Sequence, residues 1–419
     1  MNYLGCMMKS KQVAKKRIFE GVKIADFTWL GVGPIAMKFM ANMGATVIHI
    51  ESGTRPDICR VSAPYKDWKP GINRSAFFAV YNDSKYGITL NLRMPQAQKV
   101  ARRIINEWAD VVADAHLPGI MEKFGLDYET LRKDKPELIH VATALQGKTG
   151  PYSAMPGHGM VGVSLGGITE ITGWPDREPT VPFGALTDFL TFPHMVAALI
   201  AALIYRKKTG RGQYIELSQL ECTAQFLAPP IMDYMINGRI LERMGNRSAS
   251  SVPHGIYRCK GEGERWCAIG VSTDEEWLSF CDVIDNPEWS KEPRFTTFAG
   301  RKENEDELNA FVEEWTVNYP PEEVMRRMQA AGVAAGVVES GEDLVADPQL
   351  NHRGTLAILE HPEIGPHIYH SPPYRFSKTP HELTMPAPCL GQHNEYVLKE
   401  ILGMSDDEVS DLLIAGALE

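Results

Sequence analysis

Val22–Glu51, VKIADFTWLGVGPIAMKFMANMGATVIHIE, reads as strand, glycine turn, helix and strand. The apolar run Val22–Phe27 is a buried strand, Trp29–Pro34 a turn, Ile35–Met43 a helix, and Thr46–Ile50 a second strand ending at Glu51. Together they make a βαβ unit. Its turn contains Gly31-x-Gly33-x-x-Ala36, and Glu51 follows twenty residues after Gly31, so the formal dinucleotide-binding fingerprint is met. Pro34 falls at the first helical position, where its missing N–H costs nothing, yet it removes a donor that a pyrophosphate would use. Such a match alone leaves two readings open: a nicotinamide-dependent dehydrogenase, or a scaffold built the same way.

Outward from this unit the alternation continues. Tyr86–Leu92 reads as a strand, Ala97–Trp108 as an amphipathic helix, and Ala109–Asp114 and Leu138–Leu145 as strands. Alternating elements imply a mainly parallel sheet covered by helices, so the class is α/β. Gln146–Gly159 interrupts with four glycines and two prolines, a loop long enough to be functional. Tyr214–Leu217 is a further strand and Cys222–Leu241 a long helix. Composition shifts near Asn246, and His254–Val271 alternates as a hairpin around Gly261–Gly263. Helices at Asp274–Ile284 and Glu303–Asn318, a strand at Ala334–Glu339 and a last helix at Ser405–Leu413 follow. We therefore expect a disordered lead-in (1–20), a large Rossmann-like domain (21–220), a linker helix (221–247), a small inserted α+β domain (248–335) and a return to the large domain (336–419).

Thr180–Gln219 carries the most suggestive acid. Phe189–Tyr205 is apolar almost without a break, which predicts a helix buried on most of its circumference with Thr187 or Asp188 as its N-cap. Asp188 is then a plain helix cap. A helix start also offers free N–H groups and a positive dipole end, which keep a carboxylate ionised and stabilise an oxyanion. One residue can fill both roles.

Bulk properties narrow the function. At 419 residues the chain suggests two domains of roughly 100–200 residues each. Its 44% hydrophobic and 23% charged residues are those of a soluble globular protein. A formal charge of −10 argues against nucleic acid or an anionic membrane as a general partner. Seven scattered cysteines without a C-x-x-C pair point to reduced packing residues in the cytoplasm and to no metal site. The apolar run Met195–Tyr205 falls short of the ~20 residues a membrane helix needs.

The chain resembles the class III coenzyme A transferases nearly end to end. The resemblance rests on Gly21-Val22-Lys23-Ile24 with Asp26-Phe27-Thr28 and Gly33-Pro34, and on Gly44-Ala45-Thr46-Val47-Ile48 with Ile50-Glu51. It continues through Asn82, Lys85 and Leu90, Pro118-Gly119, Gly147–Tyr152, Gly184-Ala185-Leu186-Thr187-Asp188 and Lys208-Thr209-Gly210-Arg211-Gly212-Gln213. Within the family, Asp26-Phe27-Thr28-Trp29, Arg55-Pro56-Asp57 and Thr172-Gly173-Trp174-Pro175-Asp176 look most like benzylsuccinate CoA-transferase subunits.

The resemblance implies an interlocked dimer, homodimeric or paired with a homologous subunit, in which Asp188 is the nucleophile. It implies that Gly31, Val32, Leu90, Ala115, His116, Lys123 and His158 surround the coenzyme. Arg55, Arg60, Lys85 and Lys123 stand near turns or helix ends and suit its phosphates. Ser52, Ala115 and Gly159 depart from the family pattern, and Arg55 or Arg60 would supply the base absent at Ser52. The implied reaction moves coenzyme A from an acyl-CoA donor such as succinyl-CoA to an acceptor such as benzylsuccinate or a similar aromatic or aliphatic acid. It would pass through an aspartyl-CoA thioester, with CoA as substrate and no tightly bound cofactor. Gly147–Gly159 and Gly261–Gly263 would serve as backbone donors or a lid. A non-catalytic CoA-binding subunit is the alternative that the departures favour.

Overall fold

The computed structural model describes residues 17–184 and 186–419. Six parallel strands, β1 (Lys23–Phe27), β2 (Thr46–Glu51), β3 (Tyr86–Thr89), β4 (Val111–Asp114), β5 (Ile139–Ala144) and β6 (Tyr214–Ser218), pair in the order β3-β2-β1-β4-β5-β6. This is a doubly wound order, and it reverses between β1 and β4. Chain connections diverge there and leave a crevice at the carboxyl ends of the strands. Helix α1 (Val32–Asn42) leads from β1 to β2. It starts earlier than the sequence suggested: Pro34 is its third residue, still inside the first turn, whose N–H groups have no intrahelical acceptor. Gly33 is there because a Cβ would fall within 2.5 Å of Thr28 Oγ1.

The contacts divide the described chain into two compact units. One holds the residues up to Ile168 together with Val181–Met232 and Gln349–Glu419; the other holds Thr169–Thr180 and Asp233–Pro348. The second unit pairs antiparallel strands His254–Cys259, Arg265–Gly270 and Ala334–Val337. Gly261–Gly263 fall in the turn of that hairpin. Its core is built on Trp277, Phe280, Phe295 and Leu308. The expected helix Cys222–Leu241 is two helices, Gln219–Phe226 and Ala228–Asn237, because Pro229 and Pro230 cannot continue the first one. The expected lead-in lies outside the described residues up to Lys16; at Arg17–Glu20 the chain turns, with Phe19 buried and its N–H on Met43 O at 3.0 Å.

The long helix Leu186–Thr209 buries one stripe, Thr187, Thr191, Met195, Val196, Leu199 and Ala202. That stripe shares a core with Met37 and Met40 of α1 and Val141 of β5. The opposite stripe, Phe189, Ala197, Ala201, Ile204 and Tyr205, is exposed, so the helix is not buried around most of its circumference as its composition suggested. Among the described residues it is the one helix long and apolar enough to cross a membrane; the stripe packed on the sheet gives it the place of a core helix.

Candidate active site

Asp188 is the third residue of Leu186–Thr209. Neither it nor Thr187 is the N-cap expected from sequence, since both lie inside the first turn. Its carboxylate instead lies against Gly31, the N-cap residue of α1, which offers no side chain of its own, and the nearby Val32 backbone N–H favours its charged form. A Cβ on Gly31 would stand 2.5 Å from Asp188 Cγ. Only glycine lets the carboxylate approach this close. Burial pushes the Asp188 carboxyl up to about 6, with the Val32 N–H pulling the other way. Near neutral pH it is a partly desolvated carboxylate, and among the described residues no cation forms an ion pair with it.

Asp188 faces a cavity of about 890 Å³ that opens at the carboxyl ends of the strands. Gly31, Val32, Arg55, Leu90, Ala115, His116 and His158 all line it, as does Gly159. Its walls are the turn after β1, the residues after β3 and β4, and Met155–Gly159 of the glycine-rich loop. That loop is tied down by Lys148, whose Nζ donates to Asp114 Oδ1 at 2.8 Å and to the His116 carbonyl. Burial opposes ionisation of Asp114, but His140 and Lys148 outweigh it and hold the carboxyl far below its usual range. Burial also lowers the His116 pKa, so its imidazole is neutral, 5.7 Å from the Trp29 ring. The Arg55 guanidinium lies 5.5 Å from the same indole. Arg93, which the sequence reading passed over, is the other arginine in the wall.

Three expected basic residues are elsewhere. Lys85 is fully buried, donating to Asp26 Oδ2 at 3.1 Å and Asn82 Oδ1 at 2.9 Å, so it supports β1 and cannot reach a phosphate. Arg60 is equally buried, with Nη2 2.6 Å and Nε 2.8 Å from the Glu51 carboxylate. It therefore supplies no replacement for the base absent at Ser52, whose hydroxyl donates to Glu419 at 2.8 Å. Lys123 is exposed on the short helix Ile120–Lys123; Ile120 and Phe124 line the cavity and Lys123 does not.

The dinucleotide reading fails on the same geometry. Glu51, which would bind a ribose, is locked to Arg60. The helix N-terminus that would take a pyrophosphate carries the Asp188 carboxylate, and two anions repel there.

Comparison with known proteins agrees with the resemblance. The model of CoA-transferase family III matches residues 19–394. Succinyl-CoA–D-citramalate CoA-transferase of Chloroflexus aurantiacus is 29% identical over 398 residues, covering 94% of this chain and 97% of that protein. Human succinyl-CoA:glutarate CoA-transferase is 28% identical over 402 residues, covering 96% and 90%. The crystal structure of a CAIB/BAIF family protein from Brucella suis superposes with a TM-score of 0.84 at 29% identity, covering 92% of this chain and 99% of that one.

Proposed function

This chain belongs to CoA-transferase family III and moves coenzyme A between an acyl-CoA and a carboxylic acid, and we propose that Asp188 is the nucleophile that carries the coenzyme. The observation behind this reading is the desolvated carboxylate held at the α1 N-terminus, against a glycine, in a large and mostly apolar cavity. An Asp188 oxygen attacks the donor thioester carbonyl and expels CoA thiolate, leaving an aspartyl mixed anhydride. The thiolate attacks the aspartyl carbonyl, releasing the donor as a free carboxylate and forming the aspartyl-CoA thioester. An oxygen of the acceptor carboxylate then displaces the thiolate, and the thiolate in turn takes the acceptor acyl group, restoring Asp188. No step needs a net proton or electron. The positive end of α1 stabilises each oxyanion, and the wall formed by Met155–Gly159 keeps water from the anhydrides.

Gly31, Val32, Leu90, Ala115, His116 and His158 form the coenzyme side in this reading, with Arg55 and Arg93 for its phosphates. Succinyl-CoA is the proposed donor, in keeping with the names of two relatives. A run of rings supports an acceptor with an aromatic or bulky apolar body, benzylsuccinate among them. Phe77 lies 5.2 Å from Tyr81, Tyr81 6.4 Å from Phe189, and Phe189 6.2 Å from Phe183, with Phe77 and Phe183 in the cavity wall. The exposed stripe of Leu186–Thr209, and Met235 and Ile236 on Ala228–Asn237 at 73% and 71% exposure, support an interlocked dimer, since isolated subunits seldom expose so much apolar surface.

The test is to incubate the purified chain with succinyl-CoA and then with hydroxylamine or borohydride. Both reagents attack an aspartyl thioester and leave a resting carboxylate alone. Labelling confined to the peptide carrying Asp188, followed by turnover with a panel of aromatic and aliphatic acids, supports the reading. Labelling of another carboxylate removes it, and no labelling of the chain by itself favours the non-catalytic subunit.

A further inference from the structure

Leu30 has φ +65°, the left-handed region that a branched, non-glycine residue enters only when held there. It precedes Gly31, against which the Asp188 carboxylate lies, and Val32, whose N–H favours its charged form. The holding group is Asp57, whose carboxylate accepts the Leu30 N–H at 3.1 Å (Oδ2) and 3.3 Å (Oδ1). The Leu30 carbonyl accepts from Cys59 Sγ at 3.6 Å, so this residue is held on both sides. Asp57 is itself fixed. It is fully buried, its N–H donates to Glu51 Oε1 at 3.2 Å, and its carboxylate also accepts the Cys59 N–H at 2.9 Å. Glu51 is clamped in turn by Arg60. Among the described residues no cation forms an ion pair with Asp57. A buried carboxylate with no cation paired to it is costly to keep, and burial raises its pKa.

We propose that Asp57 is a positioning residue of the transfer reaction: by holding Leu30 in its left-handed conformation it sets the Gly31–Val32 backbone against the Asp188 carboxylate. The inference rests on the nucleophile reading above. Mere capping of the short turn Ile58–Val61, which Asp57 also does, would affect stability alone. Positioning affects the ionisation of Asp188, because the Val32 N–H favours its charged form. The groups facing Asp188 from neighbouring elements are Tyr81 and Cys59; those facing Asp57 are His49, Glu51, Cys59 and Lys85. Substitution at Asp57 removes none of these groups but takes an acceptor from Cys59.

The experiment compares pH profiles of kcat and kcat/KM for the full chain and for Asp57→Ala, Asp57→Asn and Asp57→Ala/Leu30→Gly, each confirmed folded by circular dichroism. Asp57→Ala is expected to lower kcat about 100-fold and to move the acid limb up by about half a pH unit, with KM for acyl-CoA within about twofold of wild type. Asp57→Asn keeps one acceptor oxygen and loses about tenfold. Glycine adopts positive φ unaided, so Leu30→Gly restores both kcat and the acid limb. If Asp57→Ala does not fold, the same comparison is made on Asp57→Asn with and without Leu30→Gly. Wild-type kcat and an unmoved acid limb in the folded Asp57 variants overturn the proposal, as does a loss that Leu30→Gly fails to repair. A parallel Asp188→Asn control separates the two readings. Turnover retained there sinks the nucleophile; turnover abolished there beside wild-type Asp57 variants sinks only the positioning role.

Discussion

Replacing Asp188 by asparagine removes the charge while keeping the shape and an acceptor for the Val32 N–H. Turnover should fall below about one thousandth of wild type, because an amide oxygen cannot form the anhydride. Stability should move the other way. The native carboxyl is raised from the ordinary 3.8 to about 6, so the folded state holds a proton that the unfolded chain has already released in that interval. Stability contributed by this group therefore falls as pH rises from about 4 to about 6 and stays low above that. At about 1.4 kcal/mol per pKa unit, the charged form costs the wild type on the order of 3 kcal/mol at pH 7. Asp188→Asn escapes that cost. Urea unfolding of both proteins across this range should show the variant more stable at about pH 8 and the advantage gone below about pH 4. An advantage independent of pH would mean that the carboxylate is solvated, and retained turnover would mean that it is not the nucleophile.

Gly31→Ala sets a methyl group against the Asp188 carboxylate and should lower kcat about 100-fold with little change in KM, checked by steady-state kinetics. Arg55→Ala should raise KM for acyl-CoA about tenfold, less in high salt, whereas Lys123→Ala, outside the cavity wall, should leave KM unchanged. Lys85→Met leaves the Asp26 carboxylate buried beside His49 and should destabilise the fold by about 3–5 kcal/mol in urea unfolding, while the folded fraction keeps its KM.

How far the sequence reached depends on the range of the interaction concerned. The unit β1, α1 and β2 was legible because its apolar runs and glycines are local signals. The break at Pro229-Pro230 was equally local and was overlooked in favour of a single helix. The hairpin Leu356–His361 with Gly365–His370 was not anticipated, because only a general richness in prolines and turns was read there. Asp188 was singled out as a cap and a nucleophile, but its partner Val32 sits at the other end of the site's chain path, and no periodicity connects the two. Lys85 and Arg60 read as suited to coenzyme phosphates because each stands near a turn or helix end, where a basic residue is usually solvated or free to bind. What buries them is the strand register, which sets Asp26 opposite His49 and draws Lys85 and, through Glu51, Arg60 inward. Gly31 was noticed as part of a fingerprint. Its reason, the carboxylate pressed against it, appears only in three dimensions.

That carboxylate also explains how a frame suited to dinucleotides can serve acyl transfer. The N-terminus of α1 presents positive potential at the switch point between β1 and β4, and such a site attracts whichever anion the fold brings to it. Here the anion is covalently part of the chain, delivered by the first turn of Leu186–Thr209. It occupies the helix N-terminus a pyrophosphate would need, and Arg60 occupies the acid that a ribose would need. A bound phosphate would be held there by several donors and satisfied, whereas burial raises the Asp188 pKa despite the nearby Val32 N–H. Burial raises its pKa to about 6: low enough for ionisation at neutral pH and, in the proposed mechanism, high enough for the oxygen to attack a thioester. Two more donors would stabilise the carboxylate at the expense of its nucleophilicity. The chain departs from a nucleotide-binding site less in its sheet than in the side chain it sets before one helix.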